Sequence, residues 1–476
     1  MVFSSYLFVF LFLPVFLALY QLAPRRFKNA CLLIASLAFY YFGDKAGTLV
    51  LLASVVGNFG FGYLIGIARA KIESSAAVRV SPKAWLIAGL VFNLAILGWF
   101  KYVGFLTRNL DALGAVFGND HLVPIVNAAL PLGISFFAFQ GMSYLIDVYR
   151  GTIAATSSLL QFATYKTLFP QLIAGPIVRY KDVAAELRSR DVDDEQRYRG
   201  TLRFVIGFCK KVLIADTVAM TADAIFALPP DQLSFGTAWL GVVAYALQIY
   251  FDFSAYSDMA IGLALIMGFR FPENFNYPYV SMSIREFWRR WHMTLSSWFR
   301  DYVYVSLGGN RRGAARTYVN LIVVFALTGL WHGAAWTFVV WGLWHGAFIV
   351  IERALDFEQR SIPRAARHAY ALLVVLIGWV LFRADSFGHA LAMLGAMAGF
   401  APGVNTHPVG EYLNAQQALA IGAGLVFSMP VYAYFRDRLT PRAAAWVGAP
   451  AFASLFAVAS TKVLSGAYSP FLYFRF

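Results

Sequence analysis

Apolar residues in this chain come in long unbroken runs separated by short basic segments. Residues 46–68, 122–146, 232–251, 317–351 and 412–435 contain no Asp, Glu, Lys or Arg. About 20 such residues cross a bilayer as a helix, because lipid offers the backbone no hydrogen-bond partner and a helix satisfies its own. The runs are continuous and do not alternate in-out over about ten residues, which excludes barrel strands. Candidate spans fall at 3–22, 30–43, 46–68, 84–107, 122–148, 159–178, 201–228, 233–268, 317–351 (two segments), 369–400 and 412–461 (two segments). The pattern predicts an all-α, polytopic membrane protein with about 11–13 transmembrane or re-entrant helices. The first apolar stretch has no basic residues before it, and Arg25 and Arg26 follow it. It reads as a retained first span with its N-terminus outside, not as a cleaved signal peptide.

Composition agrees. Of 476 residues, 59% are hydrophobic and 13% charged, against about 25% charged in soluble domains. The net charge of +14 would suggest nucleic acid in a soluble protein. Here the basic residues cluster between apolar runs, at 25–28, 69–71, 285–316, 353–367 and 436–442. That is the positive-inside pattern, and it assigns the charge to topology and membrane surface rather than to nucleic acid. Cys31 and Cys209 form no CxxC pair, so neither a metal site nor a disulfide framework is expected. No linker, repeat or low-complexity stretch interrupts the chain, and 1–476 reads as one integral membrane domain.

Two hydrophilic stretches stand out. Residues 181–203 are mixed in charge and predict a water-exposed, cytosolic helical loop. Residues 285–316 carry seven Arg against Glu286 and Asp301, a net +5. Within them Trp288, Trp291, His292, Leu295, Trp298, Phe299 and Tyr302 recur at helical spacing, which predicts one amphipathic helix at the interface followed by a basic loop. Residues 317–351, as a single helix, would reach roughly 52 Å and must bend or break. The expected break is Thr328-Gly329-Leu330-Trp331-His332-Gly333.

The chemistry concentrates in the same region. Three of the seven histidines, His292, His332 and His345, lie there. An ionisable group at membrane depth is costly and points to function, although a histidine can also hydrogen-bond two helices together. A neutral imidazole can take a proton from a hydroxyl as its oxygen attacks an acyl carbonyl. No serine lies in a nucleophile elbow and neither cysteine neighbours a histidine in sequence. His332 is therefore the candidate base, acting without a covalent protein intermediate. His292 would assist, by orienting the acceptor or stabilising the oxyanion.

Asp252, Tyr256 and Asp258 open an apolar helix; pocket lining and interhelix pairing both fit them. Arg289, Arg290, Arg311 and Arg312 suit the phosphates of a coenzyme A donor, and they suit positive-inside anchoring equally. Trp288, Trp291 and Trp331 fit a substrate tunnel, and also core packing or an interfacial belt. His345 joins the tunnel candidates. No resident cofactor or metal is expected.

Two other classes fit parts of the pattern. His332 and His345, 13 apart, have a spacing used for haem ligation in membrane cytochromes, but that needs partner histidines on a facing helix. Carboxylates at broken helices also mark transporter paths, usually with internal repeats that this sequence lacks.

The order of motifs is distinctive. YFDFSAYSDMAIGLALIMGFRFPENFNYPY (250–279), SIREFWRRWHMTLSSWFRDYVYVSLGGNRRG (283–313) and GLWHGAAWTFVVWGLWHG (329–346) resemble the signature blocks of the membrane-bound O-acyltransferases, in the branch of the alginate O-acetyltransferases. LPLGISFFAFQGMSYLIDVYRG (130–151) and FPQLIAGPIVRY (169–180) match upstream, giving a signature core over about 130–346. The family's invariant histidine falls on His332, and a second family histidine on His292. The resemblance implies a ring of helices around a central tunnel, and a multi-pass protein of the bacterial inner membrane. It implies an acetyl group passed from cytosolic acetyl-CoA to an exopolysaccharide such as alginate or cellulose, directly or through periplasmic partners with an SGNH-type hydrolase fold. The teichoic acid D-alanyl transferases share several blocks, so D-alanyl transfer is the alternative.

Overall fold

A computed structural model describes residues 3–75, 77–119, 122–400, 408–431, 434, 438, 441–466 and 471–472. Arg436, one of the basic residues noted above, lies outside them. Among the described residues every regular element is helical. Five helices among them are long and apolar enough to cross a membrane: α1 (Lys45–Glu73), α2 (Pro82–Val116), α5 (Phe235–Ile266), α8 (Gly313–His332) and α10 (Arg364–Arg383). The helices α3 (Ile134–Arg150), α4 (Leu159–Thr167), α6 (Ile284–Arg290), α7 (Met293–Phe299) and α9 (Trp336–Ala354) lie between them. The chain is an all-helical, polytopic membrane protein. Its residues pack into two compact units, one built mainly from 7–200 with 260–272, the other from 201–259 with 273–476.

In the first unit, polar groups tie apolar helices together. Asn58 on α1 and Asn93 on α2 exchange hydrogen bonds of 3.1 and 2.8 Å. Lys166 on α4 is fully buried and donates to the carbonyl of Phe137 on α3. Such bonds hold where lipid gives helices no hydrophobic reason to associate. The span expected at 122–148 is only half helical, since α3 begins at Ile134. Pro124 and Pro131 lack the N–H that a helix needs, and Gly133 turns the chain at φ 71°.

In the second unit, α8 and α9 form a hairpin that breaks at residues 333–335, starting at Gly333, the last residue of the expected stretch. Two glycines bring the helices together. A Cβ at Gly329 would lie 2.2 Å from the carbonyl oxygen of Phe338, and one at Gly342 2.2 Å from that of Phe325. Only a missing side chain allows this approach. The Trp344 indole donates to the carbonyl of Val374, 2.9 Å away, and ties α9 to α10.

The amphipathic stretch 285–316 is not one helix. It is α6, a reversal at His292, α7, a wide turn at Arg300–Tyr304, and the start of α8. His292 sits in the left-handed region at φ 43°, so the helical run cannot pass through it. Glycines 308, 309 and 313 all have positive φ and break the segment again. The short α6 is held at its start by Glu352. That carboxylate accepts the backbone N–H groups of Ile284 (2.6 Å) and Arg285 (3.0 Å) and the hydroxyl of Tyr370 (3.2 Å).

Candidate active site

Breaking the segment at His292 brings it to the end of α8. His332 is the last residue of α8 and His345 lies two turns into α9. All three histidines are buried, His292 and His345 completely and His332 to 5% exposure. The rings of His292 and His332 are 6.4 Å apart between centroids, inclined by 66°. Trp341 packs edge-on to both other histidines, 5.0 Å from His332 and 5.3 Å from His345.

Aromatic side chains enclose them. Phe382 lies 5.3 Å from His332 and Trp331 6.0 Å from His292. Trp288 is edge-on to His345 at 5.4 Å. Trp291 joins the wall through Phe287 (5.6 Å) and Trp379 (4.9 Å). The interior is therefore apolar, with polar atoms at few points. Among the described residues, Nε2 of His292, both ring nitrogens of His345 and the indole nitrogens of Trp288 and Trp341 are buried without a hydrogen-bond partner. Buried polar atoms in native proteins are normally paired, so these are groups that a polar substrate can engage.

His292 is held on its other side. Its Nδ1 lies 3.1 Å from Oδ1 of Asn274, which also accepts the hydroxyl of Thr294 at 2.8 Å. Asn274 donates in turn to the hydroxyl of Ser257, 3.0 Å away. Burial pushes the His292 imidazole well below its ordinary value of 6.5, so the ring is neutral at pH 7.

A cavity of ≈ 610 Å³ lies beside this cluster, lined by Ala246, Leu247, Tyr279, His368, Leu376 and Met429 among others. Tyr279 is its link to the histidines: its hydroxyl accepts the indole N–H of Trp379 at 3.1 Å and donates to the carbonyl of Ala246 at 2.6 Å.

The profile of the membrane-bound O-acyltransferase family matches residues 134–388, more than half of the chain and all of this site. The chain belongs to that family. It is 45% identical, over the full length of both proteins, to a probable alginate O-acetylase AlgI of Pseudomonas putida. It is 34% identical to a peptidoglycan O-acetyltransferase of Helicobacter pylori, over 91% of this chain and 87% of that one. A teichoic acid D-alanyltransferase of Bacillus subtilis is 32% identical over 44% of this chain and 55% of its own length. The protein is thus an O-acyltransferase, and the haem and transporter readings give way to acyl transfer.

Within this acyltransferase, the residues singled out from sequence divide into three groups. His292, His332, His345, Trp288, Trp291 and Trp331 share the aromatic cluster. Asp252, Tyr256 and Asp258 sit together on α5 but are engaged elsewhere. Lys211 lies 2.6 Å from both Asp252 and Asp216, and Asp252 also accepts the backbone N–H of Leu472 at 2.7 Å. Tyr256 packs edge-on to Phe471 at 4.8 Å. Asp258 pairs with Lys210 (2.8 Å) and Arg203 (3.0 Å). The arginines form the third group. Arg289, Arg311 and Arg312 are exposed, while Arg290 pairs with Glu286 at 2.9 Å.

Asn274, Ser257, Thr294 and Glu352 were not singled out from sequence, although they hold His292 and the helix before it. Their contacts span 17 to 68 residues, and no local periodicity encodes such pairs. Asn274 lies inside the PENFNYPY block, which is the one signal that could have pointed to it.

Proposed function

We propose that this protein is an O-acetyltransferase of the bacterial inner membrane, with His332 as the general base. It takes acetyl from cytosolic acetyl-CoA and delivers it to a hydroxyl of an exopolysaccharide, directly or through periplasmic partners with an SGNH-type hydrolase fold. The observation that carries this reading is the placement of His332 at a helix end, inside an aromatic enclosure and one ring away from His292. The names of the relatives that match over most of the chain, alginate and peptidoglycan O-acetylating proteins, support acetyl as the group and a polysaccharide as the acceptor. The D-alanyltransferase of Bacillus subtilis matches 44% of the chain, against the full length for the alginate O-acetylase, so D-alanyl transfer ranks second.

The chemistry follows from an imidazole buried among aromatic rings. His332 removes the proton of the acceptor hydroxyl as its oxygen attacks the thioester carbonyl. The C–O bond forms, the tetrahedral intermediate collapses, and the C–S bond breaks. The proton held by His332 then passes to the departing thiolate, giving coenzyme A and the acetyl ester. Exclusion of water by Trp341, Trp331 and Phe382 protects the thioester from hydrolysis. Arg289, Arg290, Arg311 and Arg312 bind the phosphates of the donor, as guanidinium groups on a basic interfacial segment suit them.

The test is transfer of labelled acetyl from acetyl-CoA to exopolysaccharide by membranes containing the protein and its partners. Incorporation that needs the protein supports the reading. Labelling from D-alanyl thioester in place of acetyl-CoA overturns it.

A further inference from the structure

We infer that Asn274 is a positioning residue that fixes His292 as a hydrogen-bond acceptor at Nε2, for a hydroxyl of the acceptor sugar next to the one that is acetylated. This deepens the reading above and rests on its direct route, in which a sugar hydroxyl itself attacks the thioester.

The orientation of the Asn274 carboxamide is set by its neighbours, one of which can act only one way. The backbone N–H of Thr294 can only donate, and it faces Oδ1 at 3.4 Å; the Thr294 hydroxyl donates to the same oxygen at 2.8 Å. On the opposite side the Asn274 amide nitrogen donates to the hydroxyl of Ser257 at 3.0 Å. Oδ1 therefore faces His292, and an oxygen 3.1 Å from Nδ1 requires Nδ1 to carry the proton. A neutral imidazole has one N–H, so Nε2 bears the lone pair.

The ring is clamped in this state. The carbonyl of Asn274 accepts the N–H of Met293 at 2.9 Å, so main chain and side chain of Asn274 both grip the reversal at His292. Phe253 stands edge-on to the imidazole at 4.6 Å and 89°, which opposes a ring flip. Nε2 is buried and has no hydrogen-bond partner among the described residues.

A neutral His292 in this tautomer has no proton to offer an oxyanion, so it does not stabilise one. It can only accept. The proton of the attacking hydroxyl goes to His332, so the donor that suits Nε2 is a second hydroxyl of the acceptor. A sugar with two adjacent hydroxyls supplies both, and a single serine hydroxyl does not.

The experiment combines a tautomer readout with kinetics. In protein labelled with nitrogen-15 at histidine and reconstituted in bilayers, the resonances that vanish in His292→Gln report this ring. We expect a protonated Nδ1 and a bare Nε2 in the wild type, and loss of that pattern in Asn274→Ala. In transfer assays Asn274→Ala raises the KM for the polysaccharide by about tenfold, the value of one hydrogen bond, and leaves the KM for acetyl-CoA unchanged. Asn274→Asp keeps an acceptor oxygen and restores the pattern and the KM. A protonated Nε2 in the wild type, an unchanged tautomer in Asn274→Ala, or an Asn274→Asp as impaired as Asn274→Ala overturns the inference. Full transfer by His332→Ala in the same membranes would instead refute the base assignment, and the tautomer result would stand on its own.

Discussion

The imidazoles of His292 and His332 lie 6.4 Å apart, although 40 residues and a helix crossing separate them in the chain. Two backbone features produce this meeting: the left-handed turn at His292 and the end of α8 at His332. Perturbing either should move a ring without touching the chemistry of the other.

The first prediction concerns the crossing of α8 and α9. Gly342→Ala places a methyl group 2.2 Å from a backbone oxygen, which cannot yield as a flexible side chain would. The helices must part, at a cost of about 1–3 kcal/mol. Thermal melting of the detergent-solubilised protein should fall, and acetyl transfer should fall with it because His332 ends the displaced helix. Unchanged melting and activity would show that the close approach is not needed.

Glu352 offers a second test. Its carboxylate caps α6, the helix that leads into His292. Glu352→Ala should cost about 0.5–2 kcal/mol, the usual value of a lost cap, and reduce turnover while the protein stays in the membrane. Glu352→Gln, which keeps one acceptor oxygen, should retain more of both stability and turnover, measured on matched amounts of protein.

Lys211 is buried between Asp216 and Asp252. Removing it alone leaves two carboxylates in a low-dielectric interior. Breaking such a pair from one side costs about 3–5 kcal/mol. Lys211→Met should therefore deplete folded protein from the membrane, and adding Asp216→Asn and Asp252→Asn should recover much of it. Folded yield by size-exclusion chromatography checks both.

The exposed arginines separate donor binding from chemistry. Arg311→Ala with Arg312→Ala should raise the KM for acetyl-CoA by about threefold to tenfold, a charged hydrogen bond discounted for exposure, and leave the maximal rate unchanged. A lowered maximal rate with an unchanged KM would place these residues in the catalytic step instead.

The membrane class and the break beside His332 were legible in the sequence because both are local. An uncharged run too long for one span must break, and glycines mark where. The sequence marks His292 as a candidate but places it on a continuous helix, since apolar spacing on either side of it fits one helical face. Spacing does not reveal a left-handed residue when that residue is not glycine. The commitments of Asp252 and Asp258 were open for a related reason: their cations lie 41 to 55 residues away. Long-range pairs such as Asn274 with His292 leave no trace in periodicity, so the support of the site emerged only from the fold.

The central claim is that His332 removes the acceptor proton. The most direct measurement is the acetyl content of exopolysaccharide from cells carrying wild type or His332→Ala at equal membrane levels. General base catalysis contributes about 10²–10⁴-fold, so His332→Ala should leave the polymer essentially unacetylated while the protein remains folded. Acetylation at the wild-type level in His332→Ala would contradict the account.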